Sequence, residues 1–313
     1  MNAIAAALEK VTIDSPVSEG NLTMFPLLAL EETEPAYSTL DEALAKGEFQ
    51  VTEVSESGSV PQLLVLNEGG VAVLIADGEE LVGAKQNRVV NLSIMVPAHS
   101  RITVPVSCVE SGRWHHQSRH FSTAERSYYA SGRAMKTRHV SDSLRTVGER
   151  SSDQHAIWRD IAEKSDRMSA HSATAAMDTM YEKSEDTLRQ LAGRFEPRPR
   201  QTGAIFCIDG VPVGLDLFDS PATWRKLSAK LVRGYGLDAV DLASSARRGG
   251  REQAAPADLL RAATTLQEEQ YPAVGLGEDL RLSGATLAGG ALVVDGRVVH
   301  LAVFPSGSAQ GVS

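Results

Sequence analysis

Only two cysteines, Cys108 and Cys207, occur in the 313 residues, too few for a disulfide framework or a zinc knuckle. That scarcity makes a reducing cytoplasm the expected compartment. Aromatic side chains are also few, at 5%. No apolar run approaches the roughly 18 residues that a membrane span requires, and the longest are as short as residues 71–76. The opening MNAIAAALEK lacks a basic segment, and its apolar stretch is too short to read as a signal peptide. Positive charge is in deficit: 31 Lys and Arg stand against 40 Asp and Glu, a net −9. Such a balance argues against a general nucleic-acid or acidic-membrane binder. The G-x-G-x-x-G, G-K-[ST], H-E-x-x-H and G-x-S-x-G patterns are absent. The usual dinucleotide-fold, NTPase, metalloprotease and hydrolase assignments go with them.

What is present is an ordinary globular composition, 42% hydrophobic and 23% charged, which excludes wholesale disorder. Between residues 62 and 110, five apolar runs (63–67, 71–76, 79–84, 89–96 and 101–109) are separated by short polar breaks. Connections that short join antiparallel neighbours, so the segment reads as a meander. Asp77-Gly78, Asp209-Gly210 and Asp295-Gly296 each carry the type I′ hairpin signal.

The middle of the chain reads as helix. Ser122-Thr123-Ala124-Glu125 and Ser151-Ser152-Asp153-Gln154 have capping-box spacing. Met177, Met180, Tyr181, Leu188 and Leu191 fall on one stripe. Ser220-Pro221 opens a further helix through Trp224, Leu227, Leu231 and Tyr235. Pro256 opens another, expected to close near Tyr271-Pro272, and 247–251 (RRGGR) reads as a flexible loop. The expected fold is therefore α+β. It is one β-rich antiparallel body over 1–305, with a helical insertion at about 122–195 and a flexible tail at 306–313. The helical stripe, in a chain poor in aromatics, raises the expectation of a homo-oligomer.

The densest polar cluster is DGEELVGAKQNR at 77–88. Strand alternation places Glu79, Leu81, Gly83 and Lys85 on one face and Glu80, Val82 and Ala84 on the other. One glutamate must then lie on a largely apolar face, where it needs a cation or several donors. The structural alternative, a solvated strand start followed by a polar loop, has even weight. Cys108 alternates onto the face of Ile102, Val104 and Val106 and reads as a small buried hydrophobe. Glu110, followed by Arg113 and Trp114, reads as a site rim. His115, His116 and His120 do not have metal-ligand spacing, and no metal is expected. Asp219 reads as an extended cap for the helix after it. The basic residues from Arg113 to Arg150 read first as a solvated face or a contact with an acidic neighbouring subunit, and second as an anion site.

Several strings together resemble one family. They are LDEAL at 40–44, VTEVSESGSVPQL at 51–63, DGEELVGAKQNRVVN at 77–91, VPVSCVESGRW at 104–114, VGLDLFDSPATW at 213–224 and GEDLRLSGATLAGGAL at 277–292. They resemble the bacterial ARG- and rhodanese-phosphatase-associated protein domain, whose activity is undefined. The resemblance implies, by association, a link to NAD-derived or ADP-ribosyl compounds. It places Glu79, Glu80, Glu110, Lys85, Gln86, Asn87, Arg88, Arg113 and Trp114 within family motifs. On that reading Glu79, Glu80 or Glu110 acts as general acid or base. Lys85 and Arg88 meet anionic groups, Gln86 and Asn87 orient the ligand, and Arg113 and Trp114 complete the site, with Trp114 stacking on a ring. A small nucleotide-derived ligand is the expected partner, and no cofactor is specified. The competing expectation is a non-catalytic self-assembling scaffold, in which the same charges form contacts.

Overall fold

The computed structural model describes residues 3–56, 58–115, 117–244 and 255–306. His116, the 247–251 loop and the 307–313 part of the tail lie outside them. The chain begins with α1 (Ala3–Leu8), β1 (Val11–Ile13), β2 (Val17–Glu19), β3 (Leu22–Ala29), β4 (Tyr37–Thr39), α2 (Leu40–Ala45) and β5 (Phe49–Glu53). It continues through β6 (Gln62–Asn67), β7 (Ala72–Ile75), β8 (Glu79–Gly83), β9 (Arg88–Val90), β10 (Ile94–Val96), β11 (Ser100–Cys108) and β12 (Phe121–Ser127). Four helices follow: α3 (Ala130–Val147), α4 (Gln154–Arg167), α5 (Asp178–Lys183) and α6 (Glu185–Arg194). The last part holds β13 (Gln201–Ile208), β14 (Val211–Phe218), α7 (Pro221–Ser244), α8 (Pro256–Ala263), β15 (Gln267–Pro272), β16 (Glu278–Ser283), β17 (Leu287–Val294) and β18 (Arg297–Pro305).

The fold is α+β, with three sheets. A nine-stranded sheet runs β1-β3-β13-β14-β18-β17-β16-β15, with β2 also on β3. A six-stranded sheet runs β12-β8-β9-β11-β6-β5, and a three-stranded sheet runs β10-β7-β4. Pairing is antiparallel apart from β4 on β7. Among the described residues no helix is long and apolar enough to cross a membrane.

Two of the three Asp-Gly turns are hairpins. Asp209 and Gly210 have φ of 51° and 77°, and Asp295 and Gly296 have 50° and 73°, as a type I′ turn requires. Asp77-Gly78 is not a hairpin. Its flanking strands belong to different sheets, β7 pairing with β10 and β4, and β8 with β12 and β9. The local turn signal yields to tertiary contacts: Asp77 accepts from Arg133 and Lys136 of α3, and a Cβ on Gly78 would lie 2.9 Å from the Arg133 side chain. The hairpin that does form joins β8 to β9 through residues 84–87, with Glu80 opposite Val89 and Leu81 opposite Arg88.

The helical block starts later than its first capping-box pattern indicates. Residues 121–127 form β12, which pairs with β8 and completes the edge of the six-stranded sheet. Sheet pairing there outweighs a local capping preference. Helix α3 ends on Gly148 at φ 74°. Asp153 caps α4 by accepting from the Ala156 N–H. Ser220 Oγ accepts from the Ala222 N–H at the start of α7. Helix α8 closes at Ala263, and 267–272 is strand, short of the expected helix end.

Three apolar cores result. One lies between the helical block and the nine-stranded sheet, where Phe206 stacks on Tyr235 of α7 at 3.9 Å. The stripe Met177, Met180, Tyr181, Leu188 and Leu191 is buried in it, so these side chains give no reason for a second copy. A second core packs α1 and α8 on the other face of that sheet. The third joins α2 to the two smaller sheets.

Candidate functional site

The 77–91 string threads between these cores, and its charged side chains are buried. A buried charge costs several kcal/mol unless it is paired, so each one calls for its partner to be traced. Asp77 meets Arg133 at 3.0 Å and also Lys136. Burial alone raises its pKa, but these cations hold it below the ordinary carboxylate value. Glu79 takes Lys230 at 2.8 Å on one oxygen and the Ala76 N–H at 2.8 Å on the other. Glu80 takes Arg126 at 2.6 Å on Oε2, while its buried Oε1 has no partner. Burial pushes Glu80 up, and Arg126 only partly offsets this. Asn87 Oδ1 accepts from the Gly83 N–H and from Arg113, and its Nδ2 donates to Asp178 at 3.4 Å. Glu110 accepts from Arg113 Nε, Arg113 Nη2 and the Asn87 N–H. Burial raises its pKa, but those donors outweigh it and hold Glu110 low.

Most of the basic stretch is explained by the same tracing. Arg113, Arg126, Arg133 and Lys136 are the internal counter-ions of Glu110, Glu80 and Asp77. Arg145 and Arg150 pair with Glu269 and Asp279. The acidic partner is thus this chain itself.

The side chains of Lys85 and Arg88 lack a carboxylate partner among the described residues, and Arg88 is the more deeply buried. It is 0% exposed, yet no ion pair forms on it among the described residues. Its Nη1 donates to Gln86 Oε1 at 2.9 Å and to Cys108 Sγ at 3.3 Å, while Nε and Nη2 have no partner. Strand register explains its position: Arg88 pairs with Leu81 on one side and Cys108 on the other, in the interior of the six-stranded sheet. Burial pushes its pKa down. Burial also pushes the Cys108 thiol up, with Arg88 pulling against it. The thiol's one proton has two acceptors within reach, Gln86 Oε1 at 2.9 Å and the Glu110 carbonyl at 3.1 Å, and Gln154 clamps the Cys108 backbone N–H and C=O at 2.8 Å each.

Around Arg88 stand further unsatisfied or ligand-ready groups. Trp114 is 47% exposed, and its ring lies 5.7 Å from the Arg88 guanidinium and 5.3 Å from Lys85 Nζ. Glu53 Oε2 is buried without a partner among the described residues, and the Trp158 indole N–H faces the Cys108 thiol. A Cβ on Gly58 would lie 3.2 Å from Lys85, 3.3 Å from Glu53 and 3.4 Å from Trp114, which shows how closely these three converge. Among the described residues Lys85 Nζ donates to the Glu56 carbonyl alone.

Lys85, Gln86, Arg88 and Trp114 are therefore brought together, while Asn87, Glu110 and Arg113 form an adjoining, fully bonded clamp. Glu79 points away to Lys230, and Glu80 to Arg126. Strand length alone places the glutamates and the Lys85–Arg88 end far apart. The hairpin folds Arg88 back beside Leu81, which removes that separation for Arg88. Glu53, Gln154 and Trp158 carry no local signal, because their relevance comes from contacts 30 to 50 residues away in sequence.

A second polar cluster has the composition of a Ser-His-Asp triad. Ser93 Oγ lies 2.5 Å from His300 Nδ1, and His300 Nε2 lies 3.1 Å from Asp216. Asp216 is also bound by both Arg133 Nη atoms and by the Tyr235 hydroxyl. The adjacent void of about 10 Å³ has room for a single water and none for a substrate. This network fixes β14, β18 and α3 together. Among the described residues no three His, Cys, Asp or Glu side chains are grouped to hold a metal.

Comparison with curated proteins and with solved structures gives no match. A family model described as the ARG and Rhodanese-Phosphatase-superfamily-associated Protein domain matches residues 10–304, nearly the whole chain. The chain belongs to this family.

Proposed function

We propose that the chain binds a small anionic metabolite at Arg88, of the NAD-derived or ADP-ribosyl class that the family's association indicates. One observation carries the reading: a fully buried guanidinium whose Nε and Nη2, three N–H donors in all, have no partner and on which no ion pair forms among the described residues. Such a group is costly in an empty protein and becomes favourable when an anion meets it. Lys85 supplies a second positive charge, and the half-exposed Trp114 ring supplies a stacking surface for a base. Glu53 Oε2 offers an acceptor for a ligand hydroxyl.

Binding is favoured over catalysis because the carboxylates are occupied. Glu79 and Glu110 are neutralised by Lys230 and Arg113, so neither is placed to move a proton. Glu80, with one oxygen unbonded, is the remaining acid of the motif. The test is mass spectrometry of small molecules retained by the purified chain and by Arg88→Met. A phosphate-bearing metabolite held by the first and absent from the second supports the reading. An identical set from both removes it.

A further inference from the structure

A groove of about 290 Å³ lies in another part of the fold, between α1, the ends of β3 and β14, and the β17–β18 turn. That volume is at the small end of ligand sites, which span roughly 300–1,000 Å³. Its origin is visible in α1. Ile4 and Leu8 are buried in the core beneath, whereas Ala3, Ala6 and Ala7 line the groove and fill little of it. Leu217 and Val298 continue the apolar wall.

One charged side chain in this wall is itself largely buried. Asp219 is 9% exposed, and its Oδ1 accepts from the Tyr37 hydroxyl at 2.5 Å. Its main chain is fixed by Thr33, which donates to the Asp219 carbonyl. The nearest cation is Arg297, at 3.7 Å from Oδ2 and with its side chain 55% exposed. The other buried carboxylates are served very differently: Asp216 has Arg133 at 2.6 Å and Glu79 has Lys230 at 2.8 Å. Burial pushes Asp219 up, and the Tyr37 hydrogen bond and Arg297 do not fully offset it. A buried carboxylate beside a ligand-sized apolar groove lacks a close cation that a ligand can provide. At the rim, Lys10 and Glu31 are exposed and of opposite sign, so they leave the choice to Asp219.

We propose that this groove binds a small amine with an apolar body, its ammonium taking the place of Arg297 on Asp219 and its hydrocarbon lying against the α1 alanines. The proposal uses no residue of the Arg88 site and stands or falls independently of it. The probe is 2-phenylethylamine, titrated calorimetrically into the full chain, with 3-phenylpropionate and 2-phenylethanol as bodies of similar shape that lack the ammonium. The amine is expected to bind in the millimolar range or tighter, with the acid and the alcohol at least about tenfold weaker. Asp219→Asn is expected to weaken the amine at least about tenfold, and Arg297→Ala to strengthen it by removing a competitor. Ala6→Leu is expected to abolish binding by filling the groove, and it decides the matter if Asp219→Asn fails to fold. Absence of amine binding, equal binding of the acid, or an unchanged affinity in Ala6→Leu overturns the proposal.

Discussion

Replacing Arg88 by methionine is expected to make the unliganded protein more stable. The guanidinium is fully buried, with two hydrogen bonds, one of them to sulfur, and three orphaned N–H donors on Nε and Nη2. Burying an ion costs several kcal/mol after relaxation. Hydrogen bonds from a charged donor return about 1.5–3 kcal/mol each, less for a thiol acceptor. The Trp114 ring at 5.7 Å adds about 1 kcal/mol. The sum leaves Arg88 near balance or unfavourable. Methionine retains the apolar volume and removes the orphaned donors, and Gln86 Oε1 keeps the Cys108 thiol as donor. The expected change is a gain of about 1–3 kcal/mol, by analogy with buried ion groups replaced by apolar ones. Urea unfolding measures it, provided the slope is unchanged between the two proteins. A loss of about 2 kcal/mol or more refutes the reasoning, because it means that Arg88 is compensated and serves the fold.

The neighbouring charges are expected to respond in the opposite sense. Glu79→Gln leaves the buried Lys230 with Asp41 alone and is expected to destabilise by about 2–4 kcal/mol in the same urea assay. Asn87→Ala removes the acceptor for Arg113 and the Gly83 N–H, and is expected to cost about 2–3 kcal/mol. Lys85→Ala, which loses a backbone carbonyl contact and the contact with the Trp114 ring but breaks no ion pair among the described residues, should keep the fold and weaken anion binding in a calorimetric titration. Asp216 is held below its ordinary pKa because Arg133 and His300 outweigh its burial. Its stabilising contribution is then fully present above the ordinary carboxylate range and is lost as pH falls below it. Unfolding measured across acid pH should therefore show a flatter decline for Asp216→Asn than for the wild type.

Much of the fold follows from local chemistry. Asp-Gly turns at 209–210 and 295–296, a Ser-Pro helix start and alternating strands all form as their residues dictate. The Asp77-Gly78 hairpin fails because the same two residues suit a sheet-to-sheet crossing once Arg133 and Lys136 are beside them, which no local pattern shows. Residues 122–125 satisfy a capping box and still form strand, because β8 offers a partner edge. At the site, the sequence indicates that 77–91 is chemically unusual and that Cys108 is buried. It does not indicate which charges are neutralised. Glu79 and Arg88 look alike along the chain, and only the ion pair with Lys230 on one, and the lack of any ion pair on the other among the described residues, separates a structural charge from a candidate binding group.

The most direct test of the Arg88 reading is isothermal titration of the intact protein with ADP-ribose, alongside inorganic phosphate, in the wild type and in Arg88→Met. Saturable binding of ADP-ribose by the wild type, weakened at least about tenfold in a folded Arg88→Met, is the predicted result. No heat of binding in the wild type, or equal affinity in the two proteins, contradicts it.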